Sequence, residues 1–554
     1  MAQRSAGSVD KRGLGKWSVN CPVRARNVRV RENGLVWQAT AVVCAAMSAA
    51  TKAWQKDRAG MIEILGSQRR LCGGVTRRDW LQIGGLGMLG VGLQDYVNLR
   101  RLQASSSLPG FGKAKSCILL LPYGSPPQHE TFDPKPDAPE EVRGIYKPAS
   151  TSVPGVQICD GLPKISRVMD RLTVIRSMTH PYPLHCTAYV TSGIPDYTPE
   201  LETRPRDPRH WPYVGSIVDY VEERRQAPAG IPRNIALPWK MNSRGGEAAS
   251  VEAGPYAAFL GRAYDPVLTD FNGKGVREIV KQRPYGTRHQ VLDPYAGISP
   301  QARFSLRGVQ LDRQVTLDRH LRRRSLLEQF SAARRALDDR PATRNLDRFR
   351  RMAYSLLASP QINRALDVQQ ESARTRESFG MTLFGQSCLV ARRLIEAGGK
   401  FVTVFWDEYA YLNTDWDTHW NQNHRLKGWL LPGFDAAFSG LILDLEQRGM
   451  LDETLVVWMS EHGRTPRFNS NAGRDHWSRV YSIAMAGGGI RKGEVIGRSD
   501  SLGGDVLEHG VSPKDILATI LHLLGIDAHT TVPNQVGQPM PVAGTGQVRY
   551  ELFA

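Results

Sequence analysis

Runs of apolar, β-prone residues alternate along this chain with stretches in which apolar residues recur every three or four positions. The continuous runs are typical of strands buried on both faces of a sheet. They predict strands at residues 115–121, 172–178, 400–406, 454–460 and 480–490. The helical spacing predicts helices at about 162–171, 210–226, 429–449 and 512–526, and a mostly helical stretch from about 313 to 398. This alternation predicts an α/β fold with a largely parallel sheet.

One stretch of the chain fits neither pattern. Residues 234–300 are rich in proline and glycine, which favour turns and loops. We predict that they form an insertion or a lid. The insertion is placed at about 234–310, within a single domain that spans residues 106–545.

The segment TRRDWLQIGGLGMLGVGL, residues 76–93, resembles a bacterial twin-arginine (Tat) export signal. Its apolar run is shorter than the roughly 20 residues that a membrane-spanning helix needs. The alternative is a buried amphipathic helix that begins at Asp79. Met61 lies at a natural distance upstream, so residues 61–105 are predicted to be the leader, and residues 1–60 are either disordered or a mis-assigned start.

Export by the Tat route implies a periplasmic or cell-envelope location and the Tat translocon as a partner. A small-residue cleavage site is hinted at near Ala104-Ser105. The signal is either cut there or retained as a membrane anchor, and the sequence leaves both open. Because Tat exports folded proteins, often loaded with a metal, export also favours a metal site.

The formal charge of +18 does not by itself indicate a nucleic-acid partner. Residues 1–60 hold 11 Lys/Arg against 3 Asp/Glu and so supply +8 of it. The basic block at 318–351 alternates with apolar and acidic residues, which is typical of a solvated helix surface. We predict no nucleic-acid partner, and we expect the remaining positive charge to attract an anionic substrate.

Seven cysteines are scattered along the chain, and no two are spaced as a CxxC pair. The odd count and the spacing argue against a disulfide framework and against a zinc site held by cysteine. Cys117 and Cys388 lie in apolar segments and are interpreted as core residues.

Acidic residues and histidines follow four of the predicted strands. They are His129, Glu130 and Asp133 after the first strand; His180 and His185 after the second; Asp407, Glu408, Asp415, Asp417 and His419 after 400–406; and Glu461, His462, Asp475 and His476 after 454–460. Ligands of open α/β sheets bind beyond the carboxyl ends of the strands. An acid or histidine after a single strand is more often a helix cap or a surface residue. The placement of all four sets at the ends of predicted strands, however, predicts a metal centre of one or two ions. Carboxylates and imidazoles together suit Zn, Mn, Ca or Mg.

Several segments of the chain that carry these acids and histidines resemble one bacterial family. They include HETFDPKPDAPEEVRGIYKP, SMTHPYPLHCTAYVTSGIP, DTHWNQN and SEHGRTPRFNSNAGRDHW, and the resemblance runs from about residue 75 to 545. The family is catalogued as domain of unknown function 1501, is often exported by Tat, and is grouped with the alkaline phosphatase/sulfatase superfamily. The resemblance implies an alkaline-phosphatase-like three-layer sandwich and metal-dependent hydrolysis of esters.

Carried over onto this chain, the resemblance assigns the metal ligands. They are Glu130, Asp417, His419, Glu461, His462, Asp475 and His476. Many members of the family have Phe where this chain has His462, so His462 is a departure from the family pattern.

The resemblance leaves the nucleophile open. The superfamily places it at a helix start after the second strand, and counting along PYPLHCTAYVTSG puts it near Pro183, which cannot attack. Cys186 and Thr187 are the substitutes, and the alternative for Cys186 is a small packing residue. The sulfatase Cys-x-Pro-x-Arg signature is absent from the sequence.

Four further side chains are candidates for handling the substrate. His180 and His185 are predicted to orient it or to bind metal. Arg464, with Arg474, could grip an oxyanion as a guanidinium fork; the alternative is a pair of loop residues in ion pairs.

The sequence thus predicts an exported metal-dependent hydrolase of phosphate or sulfate esters, whose substrate is a small molecule or a polysaccharide. The alternative is a catalytically inactive relative that binds metal and serves in envelope interactions. Phosphomutase or transferase chemistry shares the fold and is not separated from hydrolysis by the sequence.

Overall fold

The structure is a computed structural model. Nine of its described strands form one large sheet. The residues that the structure describes are 108–225, 230–244, 253–282, 284–306, 322, 341–411 and 415–554. The predicted leader at 61–105 and residues 1–60 lie outside them. Within the described ranges, no helix is long and apolar enough to cross a bilayer.

The strands are numbered here in chain order. They are β1 Ser116–Pro122, β2 Pro148–Ser150, β3 Gln157–Cys159, β4 Leu172–Met178, β5 Asn234–Leu237, β6 Val267–Asn272, β7 Glu278–Lys281, β8 His289–Leu292, β9 Arg303–Leu306, β10 Phe401–Trp406, β11 Thr454–Trp458, β12 Gly463–Arg464, β13 His476–Trp477, β14 Tyr481–Ala486, β15 Glu494–Ile496, β16 Arg498–Ser499, β17 Val506–Glu508, β18 Thr531–Pro533 and β19 Pro539–Pro541.

The α-helices are numbered in the same way. They are α1 Glu140–Arg143, α2 Thr187–Val190, α3 Pro199–Glu202, α4 Val214–Arg225, α5 Pro341–Ala358, α6 Pro360–Leu366, α7 Ala373–Ser378, α8 Leu383–Glu396, α9 Gln422–Arg425, α10 Leu431–Gln447 and α11 Pro513–Leu523. A π-helical turn, Leu426–Leu430, joins α9 to α10. Short 3₁₀ helices lie at Ile165–Arg171, Ala258–Leu260, Arg262–Tyr264, Val368–Gln370, Leu451–Glu453 and Tyr550–Leu552.

The central sheet has nine strands in the order β15-β4-β14-β11-β1-β10-β5-β6-β9. β1 pairs in parallel with both β10 and β11, and β10 continues in parallel to β5 and β6. β14 runs antiparallel to β11 and β4, and β9 runs antiparallel to β6. The remaining strands therefore all point the same way, and their carboxyl ends meet at one edge.

Helices cover both faces of this sheet. Alternate residues of β1 point to opposite faces, because successive side chains of a strand alternate. Ile118 and Leu120 join the core formed with α8 and α10. Cys117 and Leu119 join the core formed with α4 and α11. The predicted α/β class, with a largely parallel sheet between two helical layers, is confirmed.

Two predicted boundaries differ from the structure for local reasons. The helix predicted at 162–171 is a 3₁₀ helix that begins at Ile165, where the Asp435 carboxylate accepts the first backbone N–H groups. The strand predicted at 480–490 ends at Ala486, because the three following glycines have φ between +56° and +94°.

The segment predicted as an insertion at about 234–310 is partly central. β5, β6 and β9 extend the nine-stranded sheet, and β7 and β8 form a separate two-stranded hairpin. β5 and β9 are only four residues long, and proline and glycine surround them, so apolar periodicity could not reveal them.

Candidate metal centre

The candidate residues reach the carboxyl edge of the sheet on segments that follow β4, β10 and β11 or precede β14. Asp417 and His419 follow β10, and Glu461 and His462 follow β11. His185 follows β4. His476 lies on β13, just before the antiparallel strand β14 starts from the same edge.

Asp417 is the hub of this cluster. Its Oδ1 lies 3.1 Å from His419 Nε2 and 3.3 Å from His476 Nε2. The Nε2 atoms of His419 and His476 are themselves 2.9 Å apart. Asp417 is 2% exposed, so three polar groups converge in a place that is largely closed to solvent.

His185 lies between two buried carboxylates. Its Nε2 is 3.6 Å from Asp417 Oδ2, and its Nδ1 is 3.5 Å from Glu461 Oε1. Both contacts are longer than a good hydrogen bond. Among the described residues, His185 Nδ1 and Asp417 Oδ2 consequently have no hydrogen-bond partner although both atoms are buried.

The tautomer of His462 follows from its surroundings. Its Nδ1 lies 2.8 Å from the carbonyl oxygen of Gly463, so Nδ1–H donates and Nε2 carries the lone pair. Nε2 is buried and has no hydrogen-bond partner among the described residues. A buried lone pair without a partner is costly, which is the situation that a bound cation would relieve.

Two overlapping sets of side chains could hold a metal ion. One is His185, His462 and His476, and the other is Asp417, His419 and His476; within each set the ligand atoms lie within 4.8 Å of one another. His476 belongs to both sets. Three imidazoles, or two imidazoles with one carboxylate, are ligand sets that Zn²⁺ commonly takes in proteins.

The charges in the site favour metal binding. Burial raises the pKa of the Asp417 carboxyl, but the adjacent Arg464 and His185 outweigh it and hold that pKa well below its usual range. Burial also lowers the pKa of His462 well below its usual range and the pKa of His476 to about 4. The carboxylate is therefore ionised and these two imidazoles are neutral at pH 7, as metal ligands must be.

His185 supplies the compensating charge. Burial disfavours its imidazolium, but Asp417 and Glu461 outweigh burial and hold the pKa of His185 well above its usual range. Its proton neutralises part of the charge of two buried carboxylates. A divalent cation in the same place would do so more completely.

The structure places Asp475 behind the cluster. Its Oδ1 lies 2.6 Å from His419 Nδ1, and Asn469 donates to the same oxygen at 3.0 Å. The side chain of Asp475 is 53% exposed. Asp475 thus orients His419 and leaves its Nε2 facing Asp417, as carboxylates commonly do for metal-binding histidines.

Glu130 is not brought to the cluster. Arg474 Nη2 donates to its Oε1 at 2.5 Å, and both side chains are fully buried. Arg474 Nη1 donates to the backbone carbonyls of Thr465 and Pro466, and Nη2 also donates to the carbonyl of Val142. Glu130 and Arg474 therefore form an internal ion pair.

Arg464 is also occupied within the protein. It donates to the carboxylate of Asp417 and to the backbone carbonyls of Gly124, Ser125 and Arg474. Its side chain is fully buried. Arg464 therefore holds Asp417 in place, and a fork of Arg464 and Arg474 on a substrate oxyanion does not fit this geometry.

The candidate nucleophiles lie at the start of α2. Both Cys186 and Thr187 are 0% exposed. Burial raises the pKa of the Cys186 thiol well above its usual range, which leaves it protonated. Thr187 Oγ1 is buried and has no hydrogen-bond partner among the described residues.

His180 supports the site by holding the backbone of Glu461. Tyr182 N–H donates to its Nδ1 at 3.2 Å, so Nε2–H donates to the carbonyl of Glu461 at 2.6 Å. Burial lowers the pKa of His180 to about 4, so the ring is neutral. His180 thus fixes the backbone of Glu461.

Sequence reasoning missed Ser125, which follows β1. Its backbone has φ +65°, and its Oγ accepts the N–H of His462 at 3.2 Å and lies 3.4 Å from Glu461 Oε2. A serine directly after a buried strand was the only signal, and serines at such positions are common. Ser125 orients both residues of the Glu461-His462 pair.

Gly124 shows how closely the loops approach one another. It has φ +102°, and a Cβ there would lie 2.3 Å from the backbone nitrogen of Asp417. Glycine is required at this position both for its conformation and for the space.

The comparison with protein families decides where the chain belongs. Residues 114–553 match the family described as "Protein of unknown function (DUF1501)". The chain belongs to this family. The DUF1501 membership inferred from the motifs is confirmed. No curated protein matches the chain.

Solved structures similar to this DUF1501 chain are distant in sequence. The sulfatase PsFucS1 from Pseudoalteromonas sp. is 11% identical, with 78% of this chain and 70% of that chain covered and a TM-score of 0.31. The phosphonate monoester hydrolase SpPMH from Silicibacter pomeroyi is 12% identical, with 78% and 75% covered and a TM-score of 0.31. The lipoteichoic acid synthase LtaP from Listeria monocytogenes is 8% identical, with 80% of each chain covered and a TM-score of 0.30.

Proposed function

We propose that this DUF1501 protein is an exported, metal-dependent hydrolase of phosphate or sulfate esters. The observation that supports it most directly is the set of buried ligand atoms without a hydrogen-bond partner among the described residues: His185 Nδ1, His462 Nε2 and Asp417 Oδ2. A divalent cation would give such atoms a partner.

His185, His462, His476 and Asp417 would hold the ion, with His419 beside them. When bound, a divalent metal polarises a phosphoryl or sulfuryl oxygen and lowers the pKa of water. The imidazole-rich set favours Zn²⁺ over Mn²⁺, Ca²⁺ and Mg²⁺, which prefer oxygen ligands.

The roles of the remaining residues follow from their contacts. Arg464 and Ser125 fix the loops, and Asp475 orients His419. Cys186 and Thr187 both stay candidate nucleophiles, since both are fully buried and either would need to lose a proton to attack. A substrate would approach past His419 and His476, whose side chains are 25% and 22% exposed.

Turnover of aryl phosphate and aryl sulfate esters by the zinc-loaded protein tests this proposal. We expect turnover that a chelator abolishes and that Asp417→Ala removes. Thr187→Ala and Cys186→Ala then separate the candidate nucleophiles. Absence of turnover with any divalent metal would contradict hydrolysis.

The burial of Cys186 and Thr187 favours a second candidate function. A relative that binds metal without an accessible nucleophile would act as a metal-binding or envelope interaction protein. This alternative predicts that the protein binds metal stoichiometrically but hydrolyses neither ester. It also predicts that Cys186→Ala and Thr187→Ala leave this metal binding unchanged.

A further inference from the structure

The loop between β10 and α9 carries Asp417 and His419 but has no helix or strand in its described parts, 407–411 and 415–421. A metal ligand on such a loop must be held by contacts from elsewhere. Arg425 supplies one, since its Nη1 donates to the carbonyl of Asp417 at 3.0 Å.

A second support comes from the β7–β8 hairpin. Lys281, the last residue of β7, is completely buried and donates to the carbonyl of Tyr409 at 2.7 Å. Its Nζ also lies 2.6 Å from Asp293 Oδ2 and 3.5 Å from Asp415 Oδ2. Lys281 thus joins both described parts of the ligand loop, and it reaches Tyr409 from 128 residues away in the sequence.

The hairpin makes one more contact with the same loop, and the segment that follows β8 makes another. Trp420 Nε1 donates to the carbonyl of Gln282 at 2.5 Å, and the Trp420 ring stacks at 20° on the ring of His419. On the other side of Asp417, the hydroxyl of Tyr295 accepts the backbone N–H of Asp407 at 3.0 Å. The contacts therefore flank the two candidate ligands.

We propose that the β7–β8 hairpin is part of the metal centre and that Lys281 is a positioning residue for Asp417 and His419. This inference rests on the proposed function, because it assumes that Asp417 and His419 face a metal ion. The hairpin therefore sets the affinity of a site to which it contributes no ligand.

The charge of Lys281 is what fixes the loop. An ammonium without water must be paired, and its partners Asp293 and Asp415 are equally buried. Removing the ammonium takes away the partner that Asp293 and Asp415 share and the donor to the carbonyl of Tyr409. Asp415 then loses its tie to Lys281 of the hairpin, and Asp417 lies only two residues further along the chain.

Cobalt titration of the full chain, followed by calorimetry and by the visible absorption of bound Co²⁺, tests the proposal. We expect Lys281→Met to weaken cobalt binding about tenfold or more and to change the Co²⁺ spectrum. Arg348→Met is the matched control, because Arg348 is also buried and pairs with two acids, the buried Asp219 and the partly exposed Glu223, but ties α5 to α4. We expect this control to bind cobalt as the wild type does.

Trp420→Phe keeps an aromatic ring beside His419 but removes the indole N–H that donates to Gln282, together with part of the indole ring. It is expected to weaken cobalt binding about threefold or more, and it decides the matter if Lys281→Met does not fold. Unchanged affinity in that case would overturn the inference.

The other outcomes separate this inference from the proposed function. Equal cobalt affinity and spectra in the wild type and Lys281→Met would overturn the positioning role alone. Equal weakening by Lys281→Met and Arg348→Met would also overturn it, since the effect would then be general loss of stability. A wild-type protein that binds no cobalt would overturn the proposed function and this inference with it.

Discussion

At the scale of a single residue, His462 shows how the protein fixes the tautomer of an imidazole so that one ring nitrogen is free to bind a metal. The Gly463 carbonyl takes the Nδ1 proton, Ser125 takes the backbone N–H, and Nε2 is left buried with its lone pair free. Neutral imidazole in a fixed tautomer binds a metal without first losing a proton. This preparation is the reason to interpret His462 as a ligand.

Replacing His462 is therefore expected to weaken the site strongly. We expect His462→Ala to reduce zinc affinity by about 100-fold, since even partners behind a ligand are worth about 10- to 100-fold. Calorimetric titration with zinc measures this. The control is His529→Ala, because His529 is exposed. Equal affinities in the two variants would exclude His462 as a ligand.

A second residue-scale prediction concerns Asp407, the first residue of the ligand loop. Burial raises the pKa of its carboxyl from 3.8 to about 7. The folded state then binds more protons than the unfolded state between these values, so this group stabilises the fold fully below about pH 4 and the contribution is lost as pH rises through about 7. Between pH 5 and 8 the loss is roughly 2–3 kcal/mol.

Urea unfolding of the wild type and Asp407→Asn at pH 5 and pH 8 measures this effect. The wild type is expected to lose roughly 2–3 kcal/mol more unfolding free energy than the variant across this interval. An identical pH dependence for the two proteins would show that Asp407 has an ordinary pKa.

At the scale of elements, the site is an assembly of loops from four strand ends. Parallel pairing of β1 with β10 and β11 brings these ends together, and Gly124 lets the loop after β1 touch the backbone of Asp417. Arg464 then ties the two loops by donating to Gly124 and Asp417. The strands set the location, and these loop contacts set the geometry.

Gly124→Ala is expected to disrupt this assembly. A Cβ at Gly124 would lie 2.3 Å from Asp417 N, so the Asp417 loop must shift, and metal affinity should fall about tenfold or more. Gly155→Ala is the matched control, because Gly155 also has positive φ (+79°) but nothing lies within 4 Å of its Cβ position. It should lose only about 1–2 kcal/mol of stability, and no metal affinity. Similar metal affinities in the two variants would show that the close approach is unimportant.

Sequence patterns predicted the secondary-structure elements and the edge of the sheet at which the site lies. They did not predict which side chains contact one another there. Long apolar runs such as β1 and β10 were identifiable, because a strand buried on both faces needs them. The short strand β5 was hidden, and so was the pairing of Glu130 with Arg474, which depends on side chains 344 residues apart. Local patterns carry no information about which buried acid meets an arginine and which meets a histidine.

At the scale of the whole molecule, the proposed function depends on export, on the positive charge of the protein and on the metal centre. The predicted export signal contains Arg77 and Arg78, outside the described residues, and residues 101–554, which follow it, carry a net charge of +8. A positively charged envelope protein with a site at one edge of its sheet would attract anionic esters. This picture depends on export as well as on metal binding.

Export is tested by exchanging the arginine pair. Arg77→Lys with Arg78→Lys is expected to keep the protein in the cytoplasm, measured by fractionation of cells that make the full chain. The control exchanges the nearby pair Arg69 and Arg70 for lysine and should leave export unchanged. Retention of both variants, or of neither, would contradict a twin-arginine signal at residues 76–93.

The most direct measurement is a crystal structure of the zinc-soaked protein with anomalous data collected on both sides of the zinc absorption edge. The account predicts one strong anomalous peak about 2.0–2.2 Å from the ligand atoms of Asp417, His462 and His476. A peak elsewhere in the protein, or none beside these three side chains, would contradict the metal centre.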